Sequence, residues 1–455
     1  MQRVHFIAIG GAAMHNLAIA LSKKDDYEIT GSDDEFFEPS LSRLREHGLL
    51  PKETGWYPEK ITNHLSAVIL GMHARADNPE LIRAKELGIK IYSFPEYLYQ
   101  QTRSKTRIVV GGSHGKTSTT AMILYVMNKL RFKADYMVGA QIEGFENMVQ
   151  LSYDSRVAVF EGDEYLTSPI DLRPKFHLYK PHIAILTGVA WDHINVFPTF
   201  ENYVEQFRQF VETMEIQGRL IYFSGDEVLE DIAKNCRNDI ITFPYKTPKY
   251  EIRNGLTYIK TRNGEVELKI FGEHNLQNME AARLACRQIG IMDDKFYEAI
   301  ADFTGASNRL QKIVEKPDRV AFKDFAHSPS KLKATVKAVR RQYPDRQLIA
   351  CMELHTFSSL TSEFLPQYAD SMNEADIAFV YYNPEVIHHK QLEELDPQNV
   401  KEAFGGENVT VFTDTNLLQA KLKSMNYDNS ALLLMSSGNF SGINLADFAN
   451  ELLAT

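Results

Sequence analysis

The chain has 455 residues, of which 44% are hydrophobic and 24% are charged, a composition typical of globular proteins with room for about three domains. Its formal net charge of −10 argues against nucleic acid as a main partner, because phosphate backbones select basic surfaces. No apolar run is long enough to predict a membrane span, and the three widely spaced cysteines fit neither a metal site nor a disulfide framework. We therefore expect a cytoplasmic protein.

Residues 1 to about 103 have the pattern of an α/β unit. Apolar segments alternate with helical patterns, which predicts a parallel sheet whose ligands lie at the carboxyl ends of the strands. The predicted strands are Val4–Ile9, Tyr27–Thr30, Ala67–Leu70 and Ile89–Ser93, and a helix is predicted over Pro79–Leu87.

The loop after the first strand resembles part of a dinucleotide-binding fingerprint. It runs Gly10-Gly11-Ala12-Ala13-Met14, without the third glycine, and Asp33 closes the second strand, where an acid often meets a sugar hydroxyl. The residues alone leave three interpretations open: a dinucleotide site, a site for another nucleotide such as a UDP-sugar, and a structural turn.

A second unit, residues 104 to 305, opens with a pattern for binding phosphate. The apolar strand Arg107–Val110 leads into Gly111-Gly112-Ser113-His114-Gly115-Lys116-Thr117, and apolar residues then recur at helical spacing to Leu130. Glycines let backbone N–H groups face an anion, and the helix N-terminus adds partial positive charge. The loop is one residue shorter than the common pattern, yet it predicts a nucleoside triphosphate site with Lys116 at the terminal phosphates and Thr117 on Mg²⁺.

Acidic residues follow another predicted strand of this unit. Val157–Phe160 is apolar and ends in Glu161-Gly162-Asp163-Glu164, where carboxylates could hold Mg²⁺ directly or through water, or form a solvated loop. Asp192-His193 follows the predicted strand His182–Val189 and could face the same crevice or be structural.

Two Asn-Gly pairs mark a change of structure. Asn254-Gly255 and Asn263-Gly264 lie between alternating segments and predict a small antiparallel sheet. The polar stretch 272–278 then precedes a predicted helix, Met279–Ile289. Within that stretch, Asn275 could contact a base or cap the helix.

Residues 306 to 455 predict a third α/β unit. Asp324-Phe325-Ala326-His327-Ser328-Pro329 follows its first strand, and Ser436–Gly442 forms a second glycine-rich loop between a strand and a helix. The predicted elements are the strands Arg319–Lys323, Gln347–Met352, Ile377–Tyr381, Val409–Phe412 and Ala431–Met435 and the helices Lys331–Arg341 and Leu417–Ser424.

Taken in order, these motifs resemble the Mur ligase family of cell-wall enzymes that form amide bonds. The anchors, spread over nearly the whole chain, are Gly10–Met14, Gly31–Asp33, Gly112–Thr117, Glu161–Glu164, Asp192-His193, Gly272–Asn275 with Asn278, Arg309, and Asp324–Pro329. The resemblance implies an α/β fold with three domains: a Rossmann-like UDP-sugar domain over 1–103, a P-loop ATPase-like central domain with a small antiparallel sheet over 104–305, and a Rossmann-like C-terminal amine-substrate domain over 306–455.

The resemblance also implies a role for each set of site residues. ATP would contact Gly112, Ser113, His114, Gly115, Lys116, Thr117, Ser118, His274, Asn275, Asn278, Arg309 and Asp324. Mg²⁺ would be held by Thr117, Glu164 and His193, and catalysis would depend on Lys116, Glu164, His193 and Arg309. The UDP-sugar would contact Gly10, Gly11, Ala12, Met14, Ser32 and Asp33, and the amine substrate His327, Ser437 and Gly438.

The implied reaction is amide formation through an acyl phosphate. A carboxylate on the sugar attacks the γ-phosphate of ATP, and an amine then displaces phosphate. Residues 161–182 and the MSSGNFSG loop resemble the member of the family that attaches L-alanyl-γ-D-glutamyl-meso-diaminopimelate to UDP-N-acetylmuramate; the member that adds L-alanine is the alternative. No obligate protein partner is evident.

Two other functional classes share parts of the pattern. An ATP-driven switch would also carry a phosphate loop, and folate polyglutamylation uses similar middle and last domains. The sugar-nucleotide pattern of residues 1–103 disfavours both, and Arg309 and Asp324 argue further against the switch.

Overall fold

The computed structural model describes residues 1–142, 144–192, 196–306 and 309–454, which divide into two compact units. The first contains Met1–Asp192, Val196–Lys246 and Ala281–Phe296, and the second contains Thr247–Glu280 and the chain from Tyr297 onward. The predicted domain boundaries near residues 103 and 305 stay predictions.

The first unit begins with a parallel sheet of four strands in the order β2-β1-β3-β4. The inner strands are apolar and buried, as expected for a sheet covered on both faces. β1 ends at Ile7 rather than Ile9 because Ala8 takes a positive φ of 65°. The elements are β1 (Gln2–Ile7), α1 (Ala12–Ser22), β2 (Tyr27–Ser32), α2 (Ser40–Glu46), β3 (Ala67–Leu70), α3 (Pro79–Glu86), β4 (Ile91–Ser93) and α4 (Phe94–Thr102).

A second sheet of this unit has seven strands in the order β13-β12-β11-β5-β8-β6-β7, all parallel except β7. β5, which precedes the phosphate loop, is central, so the loop lies at the carboxyl edge of the sheet. The elements are β5 (Thr106–Gly111), α5 (Lys116–Lys129), β6 (Ala134–Met137), β7 (Val149–Gln150), β8 (Val157–Glu161), the paired β9 (Leu166–Ser168) and β10 (Asp171–Pro174), β11 (Ile183–Leu186), α6 (Phe200–Glu212), β12 (Arg219–Phe223), α7 (Glu227–Lys234) and β13 (Ile241–Tyr245).

The second unit contains the predicted antiparallel sheet, β14-β15-β16, and a six-stranded sheet in the order β17-β18-β22-β19-β20-β21. Asn254 and Gly255 both adopt positive φ, as a tight hairpin turn requires. The remaining elements of the chain are β14 (Tyr250–Arg253), β15 (Leu256–Thr261), β16 (Gly264–Leu268), α8 (Glu273–Gln288), α9 (Asp293–Ile300), β17 (Gln311–Glu315), β18 (Arg319–Asp324), α10 (Pro329–Gln342), β19 (Gln347–Glu353), β20 (Ile377–Tyr381), α11 (Pro384–His389), α12 (Pro397–Phe404), β21 (Val409–Phe412), α13 (Thr415–Lys423), β22 (Ser430–Met435) and α14 (Leu445–Leu452).

The prediction for the start of α8 was wrong. The helix begins at Glu273, not at Met279, and so includes most of the polar stretch that was expected to precede it. Asn275 therefore lies in the first turn, where its Nδ2 donates a hydrogen bond of 3.0 Å to the carbonyl of Phe271. The Asn275 amide thus forms a hydrogen bond to the backbone that precedes the helix, rather than serving as the helix cap.

None of the helices in the described parts of the chain is long and apolar enough to span a membrane.

Arg107 on β5 connects several segments of the first unit. Its side chain is 1% exposed, and it pairs with Glu215 at 2.5 Å. Burial lowers the pKa of Arg107, although the nearby Glu215 opposes that shift. Its guanidinium also donates to the backbone carbonyls of Thr102, Arg103, Lys105, Tyr179 and Lys180. The Arg107 side chain thus supplies hydrogen-bond donors to the backbone carbonyls at the end of α4 and in the turn before β11.

We expect Arg107→Met to lower the melting temperature by roughly 5 to 10 °C, because it leaves buried carbonyls without a donor. Scanning calorimetry would measure the change. Lys133→Met is the control, since it removes only the exposed ion pair with Asp154 and should leave the melting temperature unchanged. Equal melting temperatures for the two variants would contradict the role given to Arg107.

Candidate active site

The phosphate loop connects β5 to α5 through glycines that adopt conformations other residues avoid. Gly112 has φ +135° and Gly115, the residue before the helix, has φ +77°. A Cβ on Gly112 would lie 2.2 Å from Thr187 Oγ1, so no side chain fits there. The loop therefore carries its backbone N–H groups to the positive end of α5, which is the arrangement that binds phosphate.

Lys116, the first residue of α5, forms an ion pair with Glu164. Its Nζ lies 2.7 Å from Glu164 Oε2 and 2.6 Å from the carbonyl of Gly112. Burial favours the neutral amine, but the carboxylates of Glu164, Asp163 and Glu161 outweigh it and raise the pKa of Lys116. The lysine is therefore charged and held at the loop.

Thr117 forms a hydrogen bond with Glu161, an acid of the predicted acidic stretch. Its hydroxyl donates to Glu161 Oε1 at 2.8 Å, and Glu161 Oε2 accepts from the backbone N–H of Gly139 at 2.7 Å. Glu161 ends β8, the strand beside β5 in the sheet. The adjacent strand ends thus bring Glu161 to the threonine, while the predicted Mg²⁺ role of Glu164 stays a prediction.

The donor set at these strand ends suits a hard cation. A hydroxyl and carboxylate oxygens are the ligands that Mg²⁺ prefers, and Thr117, Glu161 and Glu164 supply them. Within the described residues no cluster of three or more histidine, cysteine or acidic side chains has metal-site geometry. His193, the other predicted ligand, lies outside the described residues.

Tyr203 was not among the predicted site residues. It lies on α6, it is fully buried, and its hydroxyl is 3.0 Å from Glu164 Oε1 and 2.9 Å from Ser113 Oγ. No local motif could have marked this tyrosine, because its contacts are with residues far away in sequence.

The loop predicted to bind the UDP-sugar is organised by Asp33. Its Oδ2 accepts from the backbone N–H of Gly10 at 2.7 Å, and its Oδ1 accepts from Asp34 N at 3.0 Å. Burial raises the pKa of Asp33 to about 6, although the Gly10 hydrogen bond opposes the shift. Met14 and Ser32 are buried, whereas Gly11 and Ala12 remain accessible to a ligand.

The nucleotide residues predicted in the second unit lie near the ends of α8 and β18. Asn275 and Asn278 are buried. Asp324 is also buried, and it accepts from Leu310 N at 3.1 Å and from Thr335 Oγ1 at 2.6 Å. The structure thus gives this carboxylate a local anchoring role.

A histidine and an arginine accompany that carboxylate in the second unit. Burial lowers the pKa of His274, against the opposing charges of Asp324 and Glu273. Arg309 lies 4.5 Å above the ring of Phe325, which fixes the direction of its guanidinium.

The predicted amine-side residues lie at the carboxyl edge of the six-stranded sheet. His327 Nδ1 is 2.8 Å from the carbonyl of Phe325. Ser437 and Gly438 belong to the loop after β22, and a Cβ on Gly438 would lie 2.8 Å from Glu353 Oε2. Glu353, buried at the end of β19, accepts hydrogen bonds from Ser436 Oγ and Phe440 N. This carboxylate, which sequence analysis missed, determines the shape of the loop.

Family models match three consecutive parts of the chain. Residues 3–106 match the Mur ligase family catalytic domain, residues 110–286 the Mur ligase middle domain, and residues 308–438 the Mur ligase glutamate ligase domain.

Relatives and solved structures agree with these matches. A UDP-N-acetylmuramate–L-alanine ligase from Caldicellulosiruptor saccharolyticus is 30% identical over 397 residues, covering 84% of this chain and 83% of the relative. A murein peptide ligase from Psychrobacter arcticus aligns over 100% of this chain and 98% of its own with a TM-score of 0.64 and 21% identity. A UDP-N-acetylmuramate-alanine ligase from Thermotoga maritima aligns over 100% of this chain and 99% of its own, with a TM-score of 0.71 and 19% identity. At these identities the structures bear on the fold alone.

We expect Gly112→Ala to lower the free energy of unfolding by about 3 kcal/mol or more, because its Cβ adds a clash with Thr187 to an unfavourable φ. Urea denaturation would measure it. Gly48→Ala is the control, since Gly48 has φ +68° but a Cβ added there would meet no atom within 4 Å, and it should cost about 1 kcal/mol. Similar costs at both positions would show that Thr187 does not constrain the loop.

Proposed function

Because the chain belongs to the Mur ligase family of ATP-dependent ligases that form amide bonds, we propose that it joins UDP-N-acetylmuramate to L-alanyl-γ-D-glutamyl-meso-diaminopimelate. The observation that carries the proposal is the phosphate loop, with charged Lys116 beside the Thr117–Glu161 oxygens at the ends of β5 and β8. Residues 161–182 and the MSSGNFSG loop support the tripeptide as acceptor by their resemblance to ligases of this kind.

The chemical problem in this reaction is the meeting of two anions. The muramyl carboxylate must approach the γ-phosphate of ATP, and negative charge must be offset at the transferring phosphoryl group. The loop N–H groups, the N-terminus of α5 and the Lys116 ammonium supply that positive potential. When ATP binds, Lys116 exchanges its contact with Glu164 for contacts with phosphate oxygens.

Thr117 and Glu161 are the residues that would hold Mg²⁺, with Glu164 as a further acid nearby. A bound Mg²⁺ would neutralise phosphate charge and orient the phosphate chain. The role predicted for His193 stays a prediction.

The remaining roles follow the chain order of the motifs. The loop, whose Gly10 N–H is held by Asp33, would contact the diphosphate of the UDP-sugar through its accessible residues Gly11 and Ala12. In the second unit, Arg309 and Asp324 would serve the nucleotide, and His327 with the loop held by Glu353 would serve the amine.

L-Alanine is the second candidate acceptor. The relatives reported above include a UDP-N-acetylmuramate–L-alanine ligase that covers 84% of this chain. Both candidates use the same sugar nucleotide and the same acyl phosphate, so they differ only in the amine that completes the reaction.

Acceptor choice is tested by phosphate release from ATP with UDP-N-acetylmuramate and either the tripeptide or L-alanine, with one enzyme preparation. We expect release that requires the sugar nucleotide and is at least about tenfold more efficient, in kcat/KM, with the tripeptide. Preference for L-alanine would overturn the proposed acceptor. Release that needs neither the sugar nor an amine would overturn the ligase assignment for this chain.

We expect Lys116→Ala to lower kcat by at least about a hundredfold while leaving UDP-sugar binding intact, because it removes the cation at the transferring phosphoryl group. Phosphate release and equilibrium binding of UDP-N-acetylmuramate would measure the two effects. Lys129→Ala, in the last turn of the same helix, is the control and should retain full activity. Full ligation by Lys116→Ala would refute the assignment of the ATP site.

A further inference from the structure

We propose that Tyr203 is a positioning residue that holds Lys116 ready for the nucleotide by acting through Glu164 and Ser113. The inference rests on the proposed function, because it takes the phosphate loop as the nucleotide site. Sequence analysis gave Tyr203 no role.

The Tyr203 hydroxyl is fixed in space by the packing of its ring. The residue is 0% exposed, and its ring lies 5.2 Å from that of Phe207 and 5.5 Å from that of Phe197. A phenol ordinarily titrates at about pH 10, so its hydroxyl carries a proton at neutral pH. The hydroxyl thus keeps its proton and acts as a rigid hydrogen-bond donor.

The contacts of the hydroxyl determine the direction of each hydrogen bond. Ala190 N donates to Ser113 Oγ at 2.9 Å, so the Ser113 hydroxyl is free to donate to the oxygen of Tyr203 at 2.9 Å. Tyr203 then donates its one proton to Glu164 Oε1 at 3.0 Å, because an ionised carboxylate only accepts. A directed chain therefore runs from the backbone after β11, through the phosphate loop, to the carboxylate that holds the lysine.

Tyr203 and Lys116 contact different oxygens of Glu164. Oε1 accepts from Tyr203, and Oε2 accepts from Lys116 at 2.7 Å. Without the tyrosine proton, more of the negative charge of this buried carboxylate would be left for Lys116 to compensate. The ion pair would tighten, and the lysine would be harder to transfer to phosphate oxygens. Tyr203 thus weakens the ion pair between Glu164 and Lys116, and it keeps the carboxylate in place once Lys116 has moved.

Tyr203→Phe isolates the hydroxyl, because phenylalanine keeps the ring packing. We expect the variant to bind adenylyl imidodiphosphate, a triphosphate analogue that is not hydrolysed, roughly ten- to a hundredfold more weakly, the factor that a hydrogen bond to a charged group represents. Binding of AMP, which lacks the phosphates that Lys116 reaches, should change less than about twofold. Isothermal titration calorimetry and competition binding would measure both affinities.

The matched control is Tyr222→Phe, which removes a tyrosine–glutamate hydrogen bond of 3.0 Å to Glu230. It should leave both affinities unchanged. Ser113→Ala removes the preceding donor of the chain, and it should weaken binding of the analogue more than binding of AMP, which gives a test if Tyr203→Phe does not fold.

A double-mutant cycle tests whether Tyr203 acts through Glu164. In a Glu164→Gln background, Tyr203→Phe should weaken analogue binding less than about twofold further. Undiminished binding by Tyr203→Phe, equal weakening for the analogue and AMP, or full additivity with Glu164→Gln would each overturn the inference. If Lys116→Ala also left analogue binding unchanged, the proposed nucleotide site itself would fail; if only Lys116→Ala weakened binding, the inference about Tyr203 alone would fail.

Discussion

The ion pair between Lys116 and the buried Glu164 is the interaction on which the candidate active site depends. A buried charge pair is favourable only when its remaining donors and acceptors are also satisfied. Here the carbonyl of Gly112 also accepts from the lysine, and the hydroxyl of Tyr203 also donates to the carboxylate. The loops after β5 and β8 and the helix α6 bring these groups together.

The phosphate loop could be predicted because its signal is local. Strand, glycines, lysine and helix lie within residues 107–130, and each residue type has a physical reason to occur at its position. The partners of Lys116 and Thr117 carry no such signal. Thr117 and Glu161 are separated by 44 positions, and Glu164 and Tyr203 by 39, so only the sheet order and the packing of α6 determine which side chains meet.

The second unit shows the same division between local and distant information. Apolar patterns predicted the parallel strands β18 to β22 within a residue or two, because strands buried on both faces have nearly continuous hydrophobic sequences. The beginning of α8 was misplaced because polar residues fill its first turns, where Asn275 bonds to the preceding backbone instead of to solvent. Glu353 was missed because its partners in the 436–440 loop are more than 80 residues away.

Protonation of Asp33 has opposite effects on the stability of the fold and on the order of the Gly10–Met14 loop. Its pKa of about 6 lies above the ordinary value of 3.8, so the folded chain binds a proton more readily there than the unfolded chain does. The charged carboxylate therefore destabilises the folded chain to its full extent above pH 6, and this destabilisation decreases as the pH falls toward 3.8. The same proton neutralises the Asp33 carboxylate, which accepts hydrogen bonds from the backbone N–H groups of Gly10 and Asp34. At this one residue, mild acidification would thus remove a destabilising charge from the fold while it weakens the hydrogen bonds that hold the loop.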